Sequence, residues 1–243
     1  MPTIYSAIPD GRVLITTTGG PSWADVRDAD TGTSANPSQP SSNTGVGVQG
    51  STSAGGTYRV ARAFFSFDTS AIISKVQSAT ISIYGKDGSG TDCDIIGVKA
   101  TKPDTSTDIA VEDFDAIEGW TDGESASGNV TDYTSEVATW DSSGYNEITL
   151  NADALVDLED SDTFAICFME YDKDYLNSDP GTSHGLAFVG MFLQESSGTS
   201  KDPKIDYTFA TVSKINGVAM GDVNKINAIA KSSIADINDF DLP

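Results

Sequence analysis

The clearest pattern in the chain is a strict alternation of apolar and polar residues in two runs between residues 58 and 85. In the first run the residues of one face are Ala61, Ala63, Phe65 and Phe67, and polar residues such as Arg62 interrupt the other face. In the second run the apolar face consists of Ala79, Ile81 and Ile83. Successive side chains of a strand leave opposite faces of a sheet, so the alternation predicts two half-buried strands. Each strand is expected to line a core with one face and to turn the other toward solvent or a second layer.

Further short strands are predicted along the rest of the chain. Strand-like runs occupy Arg12–Thr16, Ile95–Val98, Glu147–Leu150, Thr163–Met169, Leu186–Leu193 and Lys204–Phe209, and Trp23–Arg27 is expected to be another. Residues 151–158 are predicted to form a short helix with Asn151 as its N-cap. Many short strands separated by turn residues, with few helices, predict an all-β sandwich.

The stretch from Asp30 to Gly56 is rich in Gly, Ser, Thr, Asn and Pro and is predicted to be a long loop. Within it, residues 45–50 (GVGVQG) match the pattern G-x-G-x-x-G. Dinucleotide binding needs a buried strand before this pattern and a helix after it. Small polar residues stand on both sides here, so we interpret the pattern as a chance match.

The C-terminal segment repeats with a period of eleven residues. Its aligned apolar positions are Val212, Ile215, Val218, Val223, Ile226, Ile229, Ile234, Ile237 and Phe240. Eleven residues are close to three helical turns, so a helix would carry one apolar stripe. Gly217, Gly221 and the Asn216-Gly217 pair favour turns, so a small solenoid with one coil per repeat is the alternative. Either structure leaves an apolar stripe that needs a partner or self-association.

The charge of the chain argues against two classes of partner. The 243 residues include 14 Lys+Arg against 36 Asp+Glu, a formal net charge of -22. Affinity for nucleic acid comes mostly from neutralising phosphates, and anionic membranes repel an acidic surface, so neither is an expected partner. The chain has no run of about twenty apolar residues, which a membrane-spanning helix needs. No secretory signal is visible at the N-terminus.

Residues with catalytic chemistry are sparse. His184 is the only histidine, and the residues around it lack a nucleophile-elbow motif. No spacing among the acidic residues isolates the carboxylate pair that a glycosidase requires. The two cysteines, Cys93 and Cys167, form neither a disulfide framework nor a metal set. We therefore expect a protein that is not an enzyme.

Two groups of residues are candidates for binding. The loop that contains Asp172 and Asp174 could supply oxygen ligands to Ca²⁺, or it could be a solvated acidic loop. Trp120, Trp140 and Tyr145 lie in polar surroundings, where aromatic side chains stack on sugar rings or anchor protein interfaces. Packing beneath long loops is the alternative for these three rings.

The order of three motifs resembles that of a known domain family. The motifs are Arg62-x-Phe64-x-x-Phe67-Asp68-Thr69-Ser70, Val76-Gln77-Ser78-Ala79-x-Ile81-x-Ile83-Tyr84 and Gly198-Thr199-Ser200-x-x-Pro203-Lys204-Ile205. Over residues 3–209 the chain resembles jelly-roll domains of the DNRLRE and carbohydrate-binding-module type, which occur in bacterial surface proteins and in structural proteins of tailed phages. The resemblance implies a jelly-roll β-sandwich and a calcium ion, for which Asp68, Asp172 and Asp174 are candidate ligands; no other cofactor is implied. The C-terminal repeats resemble tails of phage virion proteins.

These observations predict two parts, a jelly-roll sandwich over residues 1–210 and a repeat tail over residues 211–243. The expected function is that of a non-enzymatic virion structural protein on the particle surface, either a capsid decoration protein or a head or tail fibre component. The apolar positions of the tail would dock it to other virion proteins or to sister copies, for example as a trimer. The alternative is a carbohydrate-binding module that recognises surface glycans with Trp120, Trp140 or Tyr145.

Overall fold

The computed structural model describes residues 1–6, 10–37, 45–90, 93–102, 108–193 and 199–210, together with four two-residue strands between 214 and 230. Within these residues, eleven strands form one continuous sheet in which neighbouring strands are antiparallel. The strands are β1 (Thr3–Tyr5), β2 (Gly11–Thr18), β3 (Ser34–Pro37), β4 (Gly45–Ser51), β5 (Thr57–Asp68), β6 (Val76–Gly90), β7 (Ile95–Lys99), β8 (Tyr145–Thr149), β9 (Thr163–Glu170), β10 (Gly185–Met191) and β11 (Lys204–Phe209). The predicted all-β class is confirmed.

The sheet folds into two packed layers that share β6. Layer A contains β1, β11, β6 and β8, in that order. Layer B contains β10, β4, β5, β2 and β3, and β9 and β7 continue it from the second half of β5. The first half of β6 pairs with β11 and β8, whereas its second half pairs with β10. One strand therefore belongs to both walls of the sandwich.

The main core lies between the two layers. The alternation noted in the sequence produces it, because Ala63, Phe65 and Phe67 of β5 face Ala79, Ile81 and Ile83 of β6 within a single buried cluster. Residues of β9, β10 and β11 complete this cluster; they include Phe164, Ile166, Phe168, Met191, Ile205 and Tyr207. The predicted half-buried strands are confirmed for this inner face.

A second core covers the outer face of layer B. The face of β5 that points away from the main core contributes Tyr58, Val60 and Phe64, and the same face of β9 contributes Cys167 and Met169. Helix α1 (Trp23–Arg27) and residues 109–130 pack over these side chains. Both faces of β5 and β9 are therefore buried.

Two predictions for the first 56 residues are wrong. Trp23–Arg27 is a helix, because Ser22 and Asp25 form a reciprocal capping box in which each side chain accepts from the other's backbone N–H. The predicted loop over residues 30–56 contains β3 and β4. A Cβ atom on Gly47 would lie 2.2 Å from the carbonyl oxygen of Ala187, so the glycines of β4 allow its close approach to β10.

The helix predicted after β8 is confirmed as α2 (Ala152–Asp160). The side chain of Asn151 accepts a hydrogen bond from the backbone N–H of Ala154, at 3.1 Å, and so caps the first turn. Ala154 and Leu158 turn toward the main core, which places α2 over one end of the sandwich.

The described tail residues are β strands. In the first repeat, β12 (Lys214–Ile215) pairs with β13 (Val218–Ala219), and in the second, β14 (Lys225–Ile226) pairs with β15 (Ile229–Ala230). At these residues the helical alternative does not hold. Of the predicted docking positions, Val212, Val223, Ile234, Ile237 and Phe240 lie outside the described residues, and the boundary between the two parts near residue 210 stays a prediction.

Candidate binding surface

The second core contains a buried ion pair. Arg62 Nε and Nη2 donate to the two carboxylate oxygens of Asp174 at 2.8 and 2.7 Å. The backbone carbonyl of Asp174 accepts from Arg27 Nε at 2.7 Å, and Arg27 also pairs with Asp28. Arg27, Arg62 and Asp174 are all fully buried. In a bidentate pair of this kind, two parallel N–H···O hydrogen bonds match the planar guanidinium group and the carboxylate balances its charge.

Trp120 belongs to this buried pair rather than to an open surface. Its ring centroid lies 4.3 Å from Arg27 Cζ and 4.1 Å from Arg62 Cζ. The second aromatic contact of Arg62 is the ring of Phe114, whose centroid lies 4.2 Å from Cζ. Guanidinium groups over aromatic rings are favourable contacts, and more so away from water. Trp120 is half-buried and packs over the two arginines, and its use in binding stays a prediction.

Trp140 and Tyr145 do lie together, on a cleft beside β8. The cleft has a volume of about 440 Å³, and its lining also includes Asp141, Asn146 and Glu147. Trp140 Nε1 donates to the carbonyl oxygen of Gly190 at 3.0 Å, which fixes the ring against layer B. Of the three aromatic residues singled out in the sequence, the structure brings these two together and places Trp120 in the second core.

An aromatic cluster extends from Tyr145 across the outer face of layer A. Tyr145 is paired with Tyr84 in the register of β8 and β6, and the ring centroids are 5.1 Å apart, edge to face. The ring of Phe192 also contacts that of Tyr84, with centroids 5.6 Å apart, edge to face. All three rings are half-buried. They form one aromatic surface that continues from the cleft.

Three lysines surround these rings. Lys201 Nζ lies 4.3 Å from the centroid of Phe192 and 5.2 Å from that of Tyr84. Lys86 Nζ lies 5.2 Å from Phe192, and Lys204 Nζ lies 5.4 Å from Tyr145. We call the rings of Tyr84, Tyr145 and Phe192 with Lys86, Lys201 and Lys204 the aromatic–lysine patch.

Sequence reasoning missed most of this patch. Tyr84 could have been found, because it continues the solvent-facing parity of β6 that begins at Ser78 and Thr80. Lys86 could have been found in the same way, because it follows Tyr84 by two residues on β6. Phe192 and Lys201 could not, since they come from separate segments that only the pairing of β6 with β10 and β11 brings together.

The candidate calcium ligands are separated. Asp68 ends β5 opposite the start of β9 and accepts from the backbone N–H and hydroxyl of Ser70. Asp172 and Asp174 follow the other end of β9 in the π-helical turn Tyr171–Tyr175, where Asp172 is exposed and Asp174 is held by the arginines. Within the described part of the chain, no group of three or more His, Cys, Asp or Glu side chains is arranged to hold a metal ion.

Glu170, at the end of β9, is a buried carboxylate. It caps the π-helical turn by accepting from the backbone N–H groups of Lys173 and Asp174 at 2.6 and 3.0 Å. Burial raises the pKa of Glu170 to about 7, against the opposing effect of these hydrogen bonds. Its carboxylate therefore acts locally, by holding the turn that carries Asp174.

The two cysteines and the single histidine of the chain lie within or beside packed parts of the fold. Cys93 and Cys167 are free thiols; Cys93 packs against the main core and Cys167 lies in the second, on opposite faces of layer B. Burial lowers the pKa of His184 below its usual value. This histidine lies in the loop before β10.

The chain matches no protein-family model, and a search of curated proteins finds no match either. No helix within the described residues is long and apolar enough to cross a membrane.

Proposed function

We propose that this chain is a non-enzymatic structural protein of a tailed-phage virion, a capsid decoration protein or a head or tail fibre component, with the sandwich displayed on the particle surface. The resemblance of residues 3–209 to jelly-roll domains of virion proteins motivates the proposal. The observation that carries it is the pair of short antiparallel strands in each of the first two tail repeats.

These strand pairs are too short to be stable by themselves. Each strand has two residues, and an isolated two-stranded hairpin is marginal in water even when longer. The paired positions Ile215↔Val218 and Ile226↔Ile229 coincide with the apolar positions of the eleven-residue repeat. A tail built this way gains stability from neighbours, and we propose that those neighbours are other virion proteins or sister copies of the same tail.

Two measurements test this role. Quantitative peptide mass spectrometry of purified virions should detect the protein, near the copy number of the major coat protein for a decoration role and in a few copies for a fibre role. Absence from virions would contradict the proposal.

The docking role of the tail is tested in the full-length chain. Ile215→Asp combined with Ile226→Asp should lower the mass in solution to that of the monomer and prevent incorporation into particles. The matched control is Lys214→Gln with Lys225→Gln, which changes the same strands without removing an apolar position. An unchanged mass and normal incorporation of the Asp variant would rule out docking through the repeats.

A second function, glycan binding, is favoured by one specific observation. Trp140 and Tyr145 line one cleft together with the polar side chains of Asp141, Asn146 and Glu147. Sugar sites combine aromatic surface with a few placed polar groups, and this cleft has both. A displayed sandwich could carry this function on a particle, so the two roles are compatible.

A further inference from the structure

We propose that the open edge of β8 receives a tail repeat from a second copy of this chain, which adds its strand to layer A. The proposal rests on the docking role of the tail and names its partner and its site. The partner is a sister copy, and the site is an edge of its sandwich rather than its tail.

The edge of β8 that points away from β6 carries open backbone groups. Leu150, directly after β8, donates from its N–H to the carbonyl oxygen of Ala79 at 3.0 Å, so these two residues form a hydrogen-bonded pair. Such pairs recur at every second residue of an antiparallel ladder. Ile148 therefore also bonds to β6, whereas the N–H and C=O groups of Glu147 and Thr149 point away from it. Among the described residues β6 is the only strand that pairs with β8, so this edge can accept another strand.

A strand beside β8 would find space and a surface with two different sides. The cleft of about 440 Å³ runs along β8, and both Val137 and Ile148 line it. Ile148 is buried in the main core and Val137 packs against that core, so the inner side is apolar. Glu147 is exposed on the outer side. An added strand therefore needs an apolar residue inward and, next to it, an outward residue that suits a carboxylate.

The first two tail repeats have this alternation. Each has a strand of lysine followed by isoleucine, Lys214-Ile215 in β12 and Lys225-Ile226 in β14. Their backbones are already extended, so docking does not have to order them into strands first. Beside β8, the isoleucine would contact the apolar side and the lysine would lie near Glu147. Exposed ion pairs add little affinity, so the lysines select the partner, whereas backbone hydrogen bonds and the apolar contact hold it.

The charge of these repeats differs from that of the chain as a whole. Residues 211–232 carry three lysines against one acidic residue, Asp222, a net charge of +2, whereas the whole chain has -22. The third repeat, residues 233–243, has three aspartates and no basic residue. Opposite charge draws the first two repeats toward the acidic surface of another copy, and Glu147 would repel the third. The first two repeats are therefore the segments expected at the edge.

The path of the chain favours a second copy over the same one. The tail begins after β11, whose last residue, Phe209, pairs with Val76 at the start of β6. Helix α2 begins shortly after β8, and its Glu159 side chain accepts from the backbone N–H of Val76 at 2.6 Å. The helix therefore lies between the start of the tail and the β8 edge of the same copy. The described tail strands pair with each other and not with their own β8.

The proposed contact joins two different surfaces. The tail of one copy meets β8 of the next, so the contacts continue from copy to copy and build a ring or an open chain. The strand would also fill the cleft, so a copy whose edge is occupied could not bind a glycan there. An edge variant and a tail variant should each lose association alone and restore one contact when they are mixed.

Analytical ultracentrifugation of the full-length chain tests this arrangement. Glu147→Pro removes an N–H that points away from β6, so it blocks the edge and leaves the hydrogen bonds to β6 in place. Glu147→Thr is the matched variant, because it removes the same charge but keeps the N–H. The tail variant is Ile215→Asp with Ile226→Asp.

The unaltered chain should self-associate in solution. Glu147→Pro should weaken this association more than about tenfold, as expected for a lost backbone hydrogen bond and a steric block. Glu147→Thr should weaken it about fivefold or less. An equal mixture of Glu147→Pro and the tail variant should form a dimer with one copy of each, at concentrations where each alone is a monomer.

A second measurement needs no substitution in β8 and decides the question if Glu147→Pro does not fold. Hydrogen exchange of the unaltered chain, followed residue by residue, should slow at the amides of Glu147 and Thr149 when the chain associates. Equal exchange in both states, or association of Glu147→Pro like that of the unaltered chain, would show that the tail docks elsewhere. The docking role would then stand without this site. An unaltered chain that stays monomeric would also overturn the proposal, and incorporation into particles would then decide the virion role separately.

Discussion

The outer faces of the two layers differ in what covers them. Layer B is buried on both sides, because α1, residues 109–130 and the turn after β9 pack over it. Layer A presents an outer face of hydroxyl, charged and aromatic side chains, such as Thr208, Lys204 and Tyr84, to solvent. Both layers use the same antiparallel pairing and the same inner alternation, so the difference comes entirely from their outward residues.

The comparison shows where the chain keeps its charges. On layer B, Arg62 faces outward from the sheet but is sealed beneath Trp120, and so it requires the carboxylate of Asp174. On layer A, Lys204 and Lys201 stay partly exposed and contact rings without being enclosed. Buried charges restrict a fold to one arrangement, whereas exposed ones remain accessible to a ligand. The outer face of B therefore contributes to stability, and we propose that the outer face of A is the one that binds a ligand.

The largest loss of stability that distinguishes the two outer faces is expected from a substitution of Asp174. Asp174→Asn leaves Arg62 buried without its anionic partner, and breaking a buried pair costs about 3–5 kcal/mol. Chemical denaturation measures the loss. Asp172→Asn is the control, because it removes the same charge from an exposed position in the same turn and should change stability by about 0.5 kcal/mol or less. Equal effects of the two variants would contradict the structural role of Asp174.

A smaller effect is expected from the pH dependence of Glu170. Its pKa is about 7 in the folded protein, above the ordinary glutamate value of 4.5. The folded state therefore binds the proton more tightly, so this group stabilises the fold at low pH and loses that contribution as pH rises from about 4.5 to 7. Glu170→Gln should remove roughly 2–3 kcal/mol of this dependence.

The measurement is the free energy of unfolding of the unaltered chain and of Glu170→Gln at pH 5 and pH 8. Between pH 5 and pH 8 the free energy of unfolding of the unaltered chain should fall relative to that of Glu170→Gln. A difference that is the same at both pH values would show that Glu170 titrates normally.

The smallest effect is expected on the outer face of layer A. Ser78 and Thr208 share a hydrogen bond of 2.7 Å between their hydroxyl groups, but Ser78 is exposed. Water replaces the lost partner, so Ser78→Ala should change the free energy of unfolding by about 0.5 kcal/mol or less. A loss above that in chemical denaturation would mean that this face is more important for stability than its exposure indicates.

The main core could be read from the sequence, because the alternation of β5 and β6 is strict and local. The second core could not. Arg62 was interpreted as a polar interruption of one face, although Tyr58, Val60 and Phe64 share its parity and are apolar. A run that is apolar on both faces indicates a strand buried on both sides, and the arginine within it required a partner 112 residues away.

The candidate site was predictable only in part. Tyr145 and Trp140 were identified by their polar surroundings, and the structure places them together. Trp120 had the same local signal but packs against two arginines from distant segments. Local sequence cannot separate these cases, since the decisive contacts are set by which segments the sheet brings together. The glycines of β4 show the same limit: their composition indicated a loop, but their role is close contact with β10.

The register of layer A also determines how the molecule would carry a load. Lys204 begins β11 opposite Ser82, two residues before Tyr84 on β6, whereas β11 ends at Phe209, opposite Val76, where the chain leaves for the tail. A pull between a ligand held on the patch and a docked tail would run parallel to the strands. The ladder hydrogen bonds lie across that direction. They would be sheared together rather than opened one after another, so the sandwich is oriented to withstand tension between what it binds and what it is fixed to.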